Sequence, residues 1–191
     1  RIKWKIGAKW AGVAAGFAAL MFMVQAQDPR SWGREGPESA DYFEPSLART
    51  TSGDFIDAKV LDNDEYCLQC HEDAYQSWSH SAHRFSSFNN GPYAKSPQDT
   101  RAFLSARDGN TQASRFCAGC HDPVPFLSGA FDDPRWDDPD YPVSEDPLGQ
   151  AAITCTVCHA ISHVNSNLGN AAYTMDEPQH YPFAFSENAA L

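Results

Sequence analysis

The chain has 191 residues, and its 14 Lys and Arg are outnumbered by 25 Asp and Glu, for a formal net charge of −11. From residue 27 onward the excess is larger, ten basic against 25 acidic residues, or −15. That balance excludes nucleic acid as a natural partner, because phosphates need the opposite sign, and it suits steering toward a basic protein patch.

The first feature along the chain is basic and then apolar. Arg1, Lys3, Lys5 and Lys9 precede an uncharged run from Trp10 to Ala26. At about 1.5 Å per residue the run spans roughly 26 Å, and extending it back to Ile6 reaches the thickness of a bilayer core. Lys9 would snorkel, and Trp4 and Trp10 suit the interface. Residues 1–26 are therefore expected to form a membrane anchor with a transmembrane helix over about 6–26. Val24-Gln25-Ala26 would also fit a signal-peptide cleavage site, but an uncleaved anchor is the expectation. The leading charges place the N-terminus in the cytoplasm of a bacterial inner membrane and the rest in the periplasm. Gly12 and Gly16, with Ala8 and Ala19, make a face that another membrane helix could approach closely.

Residues 27–60 are poor in large apolar side chains and read as an extended tether. The remaining part, 61–191, reads as one mainly α-helical domain with extensive loops and little or no β-sheet. Helices are expected at about 64–82, 112–121 and 150–161. A fourth is expected from Ser96, with Pro97 at its first position and Asp99 in a capping-box-like place, to about Arg107. Tyr66, Tyr75, Trp78, Phe85, Phe88, Phe116 and Phe126 are expected to pack a core made largely of a prosthetic group.

That group follows from the cysteines. Cys67-Leu68-Gln69-Cys70-His71, Cys117-Ala118-Gly119-Cys120-His121 and Cys155-Thr156-Val157-Cys158-His159 use all six of them. Cys-x-x-Cys-His is the attachment pattern of c-type haem, and chance would supply roughly 0.007 matches in such a composition. Zinc sites would not divide three pairs evenly, and a disulfide framework would not repeat one three-residue spacing. A thioredoxin-like motif would need a βαβ setting, which is absent. Three covalently bound haem c groups are expected. Cys67, Cys70, Cys117, Cys120, Cys155 and Cys158 would hold the porphyrins, and His71, His121 and His159 would bind the irons from one side.

His80, His83, His163 and His180 remain as candidates for the opposite sides. His163 lies four residues after His159, which on a continuous helix puts both on one face and excludes His163 from that haem. The same argument gives His80 and His83, three apart, a shared face. Asp132, Asp133, Asp137, Asp138, Asp140, Glu145 and Asp146 crowd one loop. It reads as solvated or as a docking loop, with calcium the less expected alternative.

The run from Cys67 to His83, with Trp78, Ser81 and His83 in a Trp-x-x-Ser-x-His element, resembles the multihaem cytochromes c related to hydroxylamine oxidoreductase and its tetrahaem electron acceptor. Phe116 to Pro123 and Ile153-Thr154-Cys155 are similar to this group as well, and the likeness covers about 64–185. The resemblance implies that His83 crosses over to the haem on His159. It implies that His163 or His180 serves the haem on His71 and that the haem on His121 lacks a distal protein ligand, a place that the other of these two histidines could fill in this chain. It also implies chains with four to eight haems, so truncation after Leu191 stays open. The expected function is electron transfer between redox protein partners, as a subunit of a membrane complex and without a substrate site of its own. The alternative is the N-terminal part of a multihaem oxidoreductase, with one five-coordinate haem acting on nitrogen or sulfur compounds.

Overall fold

Several of the helices start where a side chain satisfies free N–H groups of the first turn. The computed structural model describes Trp10, residues 12–21, Met23, residues 43–167, residues 169–178 and Asn188. Asp57 caps α1 (Ala58–Leu61), its carboxylate accepting from Lys59 N at 2.9 Å. After α2 (Asp64–Leu68), α3 (Glu72–Ser79) starts with two acids, Glu72 and Asp73, at the positive end of its dipole. The longest helix, α4 (Gly91–Asp108), is capped by Asn90 and ended by Gly109 at φ 71°. Beyond a 3₁₀ turn at Gln112–Ser114 come α5 (Arg115–His121) and α6 (Pro123–Leu127). Three more 3₁₀ turns occupy Ala130–Asp132, Pro134–Asp137 and Val143–Glu145. α7 (Pro147–Gln150) and α8 (Cys155–His159) follow, capped by Asp146 and Thr154.

The fold is mainly helical, with a small three-stranded sheet that the expectation of little or no β-structure understated. β1 (Arg49–Thr50) runs parallel to β3 (Tyr173–Met175), and β2 (Ile161–Val164) pairs antiparallel on β3's other edge. Its strands have two to four residues, too few for alternation to register as a pattern.

Several boundaries differ from expectation. The helix expected over 64–82 is two, broken at Gln69–His71, because the first motif itself turns the chain. The expected helix over 150–161 begins only at Cys155, and Ile161 already belongs to β2. The helix expected from Ser96 begins at Gly91 instead. Asn90 with Pro92 and Ser96 with Pro97 are rival start signals, and the earlier one wins. Pro97 then sits buried inside α4, where it donates no backbone bond.

The domain has a side-chain core of its own. α6 is buried along its whole length, and Phe43, Phe88, Phe131, Trp136, Leu61 and Met175 surround it. Rings meet edge to face, Phe43 on Phe126 at 5.4 Å and Phe88 on Trp136 at 5.1 Å. Of the seven aromatics expected inside, only Phe88 and Phe126 are buried, while Phe85 and Phe116 are exposed. Phe43, Ala48 and Ile56 belong to this core and β1 to the sheet, so 43–60 is part of the folded domain and not a tether. Residues 27–42 lie outside the described residues.

Residues 1–35 form a separate unit. Within it 12–21 are helical, and Val13, Phe17, Leu20 and Met21 are exposed. Among the described residues no helix is long and apolar enough to cross a membrane, so the helix expected over 6–26 is not supported at that length. Much of it lies outside the described residues.

Candidate haem-attachment sites

The second and third motifs ride on α5 and α8, where a spacing of three brings both thiols to one helix face and sets the histidine beside them. The first is formed by the end of α2 and the turn into α3, closed by His71 N–H donating to Cys67 O at 2.9 Å. All six cysteines are free. In each motif the first cysteine is half-buried, while the second cysteine and the histidine are exposed. Large apolar side chains stand exposed beside the motifs: Phe116 before Cys117, and Ile161 and Val164 after His159. Free paired thiols, an accessible imidazole and apolar neighbours fit a large apolar group bound through two sulfurs and one nitrogen.

Of the three motif histidines, His121 has the most elaborate surroundings. Its Nδ1 lies 2.9 Å from Ser86 O. A carbonyl can only accept, so Nδ1 carries the proton and Nε2 keeps its lone pair for a metal. Its ring stacks on Tyr93 with centroids 4.1 Å apart and planes 15° from parallel. The next residue, Asp122, is fully buried and accepts hydrogen bonds from Ser87 Oγ and Tyr93 Oη. Burial pushes the Asp122 carboxyl up to about 7, against the pull of those two donors. Burial and the neighbouring Asp122 raise the Tyr93 hydroxyl in turn.

The first and third motifs meet at Asp64. Its carboxylate accepts from Cys155 N at 2.7 Å, at the N-terminus of α8. Thr154 caps the same helix, accepting from Val157 N at 3.0 Å, and donates to Leu61 O at 2.7 Å. Burial, and then Asp64, push the Cys155 thiol up to about 12. Second and third motifs are joined by β3, whose Tyr173 donates to Gly119 O at 2.8 Å. The third motif thus adjoins both others.

The remaining histidines are placed differently from the helix-face reasoning. α3 stops at Ser79, so His80 caps it and His83 lies in the following turn. α8 stops at His159, and His163 is on β2, paired with Thr174 and exposed. Neither pair shares a helix face, and that ground for excluding His163 from the haem on His159 falls away. His180 lies outside the described residues. His80 Nδ1 sits 2.9 Å from Gln76 O, which leaves Nε2 as the ring atom not engaged by that bond. The segment carrying His83 is laced to the approach to the third motif. Ile153 N donates to His83 O at 3.2 Å, Trp78 Nε1 to Ile153 O at 2.8 Å, and Ser87 Oγ to Gly149 O at 3.0 Å.

The acidic loop does not converge on a point. Asp132 pairs with Arg115, Asp133 with Arg135 and Asp137 with Arg101, while Asp146 caps α7 and accepts from Tyr141. Among the described residues no group of three or more His, Cys, Asp or Glu is placed to hold a metal ion, so the calcium alternative has no support.

Sequence reasoning gave no role to Asp64, Thr154, Tyr93 or Asp122. Asp122 and Thr154 directly flank motifs, within the segments that carry the resemblance, and Asp64 lies three residues before Cys67, whereas Tyr93 gave no signal.

Residues 66–160 match the family model described as cytochrome c554 and c-prime, a span containing all three motifs together with His80 and His83. The match supports a multihaem c-type cytochrome with covalent haem c and a role in electron transfer. No curated protein and no solved structure matches the chain.

Proposed function

We propose that this c-type cytochrome holds three haem c groups and relays electrons between protein partners on the periplasmic side of a bacterial inner membrane, as one subunit of a membrane complex. The observation that carries the count is the set of free thiols, three pairs each followed by an exposed histidine. When bound, haem supplies one-electron chemistry whose potential the protein sets through ligation, hydrogen bonding and burial. The six cysteines tether the porphyrins, and His71, His121 and His159 bind the irons.

His83 is the proposed second ligand of the haem on His159, supported by the bonds that tie 78–89 to 149–153. His163 and His180 are proposed for the other two, with His80 a further candidate through its free Nε2. Exposed Trp10, Val13, Phe17, Leu20 and Met23 on helical turns support a membrane-seeking N-terminus. The acidic domain suits basic partner proteins.

Intact mass and the absorbance of the alkaline pyridine haem complex test the count. Three haems per chain are expected, and one is lost for each cysteine pair changed to Ala. Two or fewer in the unaltered chain would refute it. A fully low-spin electron paramagnetic resonance spectrum is expected. A high-spin signal with carbon monoxide binding would point instead to an open haem and an oxidoreductase acting on nitrogen or sulfur compounds.

A further inference from the structure

The surroundings of His121 are more elaborate than attachment requires. Nδ1 is fixed by Ser86 O at 2.9 Å, and the Ser86 hydroxyl returns a bond to His121 O at 3.0 Å. One ring face lies on Tyr93. Tyr93 cannot drift, because the ring of buried Phe88 meets it edge-on at 5.9 Å and its hydroxyl is anchored to Asp122. Asp122 also takes the Ser87 hydroxyl, so α4, the turn at Ser86–Ser87 and the end of α5 share one buried carboxylate.

An imidazole bound to iron through Nε2 can still turn about the iron–nitrogen axis. The angle of its plane selects which iron d orbital it overlaps, and so sets the orbital splitting and helps set the potential. A hydrogen bond at Nδ1 constrains this rotation from one edge of the ring. A parallel aromatic face at 4.1 Å also opposes it.

We infer that Tyr93 is a positioning residue for the haem on the second motif: stacked on His121 and anchored to Asp122, it fixes the plane of the imidazole that binds that iron. The inference rests on His121 being an iron ligand. A tyrosine that merely packed α4 against α5 would affect stability and leave the electronic structure of one haem alone.

The test uses the full haem-loaded chain. Tyr93→Leu removes the stacking face, Tyr93→Phe keeps the face and removes the anchor, and Asp122→Asn weakens the anchor from the other side. Electron paramagnetic resonance and a spectroelectrochemical titration are recorded for each. The expected result is three retained haems, with one low-spin signal and one midpoint potential shifted and the others unmoved. The shift should be larger in Tyr93→Leu than in Tyr93→Phe. Unchanged signals and potentials in Tyr93→Leu would overturn the inference, and if that variant does not fold, unchanged values in both Tyr93→Phe and Asp122→Asn would do so. His121→Ala separates the premise: if it too moves no haem signal, His121 is not a ligand and the reading of the second motif fails first.

Discussion

Thr154 joins the third motif to the rest of the domain through one hydroxyl. It is buried, accepts from Val157 N at 3.0 Å and donates to Leu61 O at 2.7 Å. Thr154→Val keeps the shape and removes both bonds. Losing an N-cap side chain costs about 1 kcal/mol. Depriving a buried carbonyl of its donor adds about 1–3 kcal/mol. The expected loss is about 2–4 kcal/mol, which in a chain of this size lowers the melting midpoint by roughly 5–15 °C. Thr154→Ser keeps both bonds and loses one methyl group, worth about 1 kcal/mol. Thermal unfolding of the haem-loaded chain, followed by far-ultraviolet circular dichroism, should therefore rank wild type, Ser and Val in that order with the large gap before Val. If Val melts together with Ser, the hydroxyl does not anchor α8.

Three further outcomes are expected. Gly119→Ala puts a Cβ against the Ser46 hydroxyl, which can swing away, and 2.6 Å from Ala171 Cβ, which cannot. Urea unfolding should show a cost of about 1–3 kcal/mol, relieved by adding Ala171→Gly; Ala171 also sits at φ 56°, where glycine is easier. Burial holds the Asp64 carboxyl above the ordinary carboxylate range, so the folded chain retains a proton that the unfolded chain has lost. Stability from this group is thus present at low pH and lost as pH rises from the ordinary range through the raised value. The wild type should lose ground to Asp64→Asn over that interval, and parallel pH curves would contradict this. Arg101 is 1% exposed, pairs with Asp137 at 2.8 Å, donates to Phe131 O at 3.0 Å and lies over the Phe131 ring. Asp137→Ala leaves that buried charge uncompensated, at about 3 kcal/mol, whereas Arg101→Met leaves only a half-exposed carboxylate and should cost less in urea unfolding.

The chemistry of the chain is legible because covalent attachment demands fixed residues at fixed spacing, as Cys117, Cys120 and His121 illustrate. Helix ends are legible where one signal acts alone, as at Gly109, and misread where two compete, as at Asn90 and Ser96. The strands are short and the central one pairs on one side with the distant β1, so no local pattern announces the sheet. The placement of His83 and His163 failed for a related reason: the helix-face argument assumes the helix continues, whereas α3 stops at Ser79 and α8 at His159. Asp64 and Tyr93 were invisible because their partners, Cys155 and His121, come from distant segments, and neither an acid near a motif nor a tyrosine on a separate helix has meaning until the fold supplies the other half.

The sheet has one more consequence. β3 is its middle strand, and of the three it is the last in the chain. Neither β1 nor β2 has a strand to pair with until residues 173–175 have been made. Thr51 then reaches Met175 O through both its amide, at 2.9 Å, and its hydroxyl, at 3.0 Å, across 124 positions. Closing so long a loop is slow relative to forming a helix. All three attachment motifs lie inside that loop, so their thiols are synthesised before the strand that closes it.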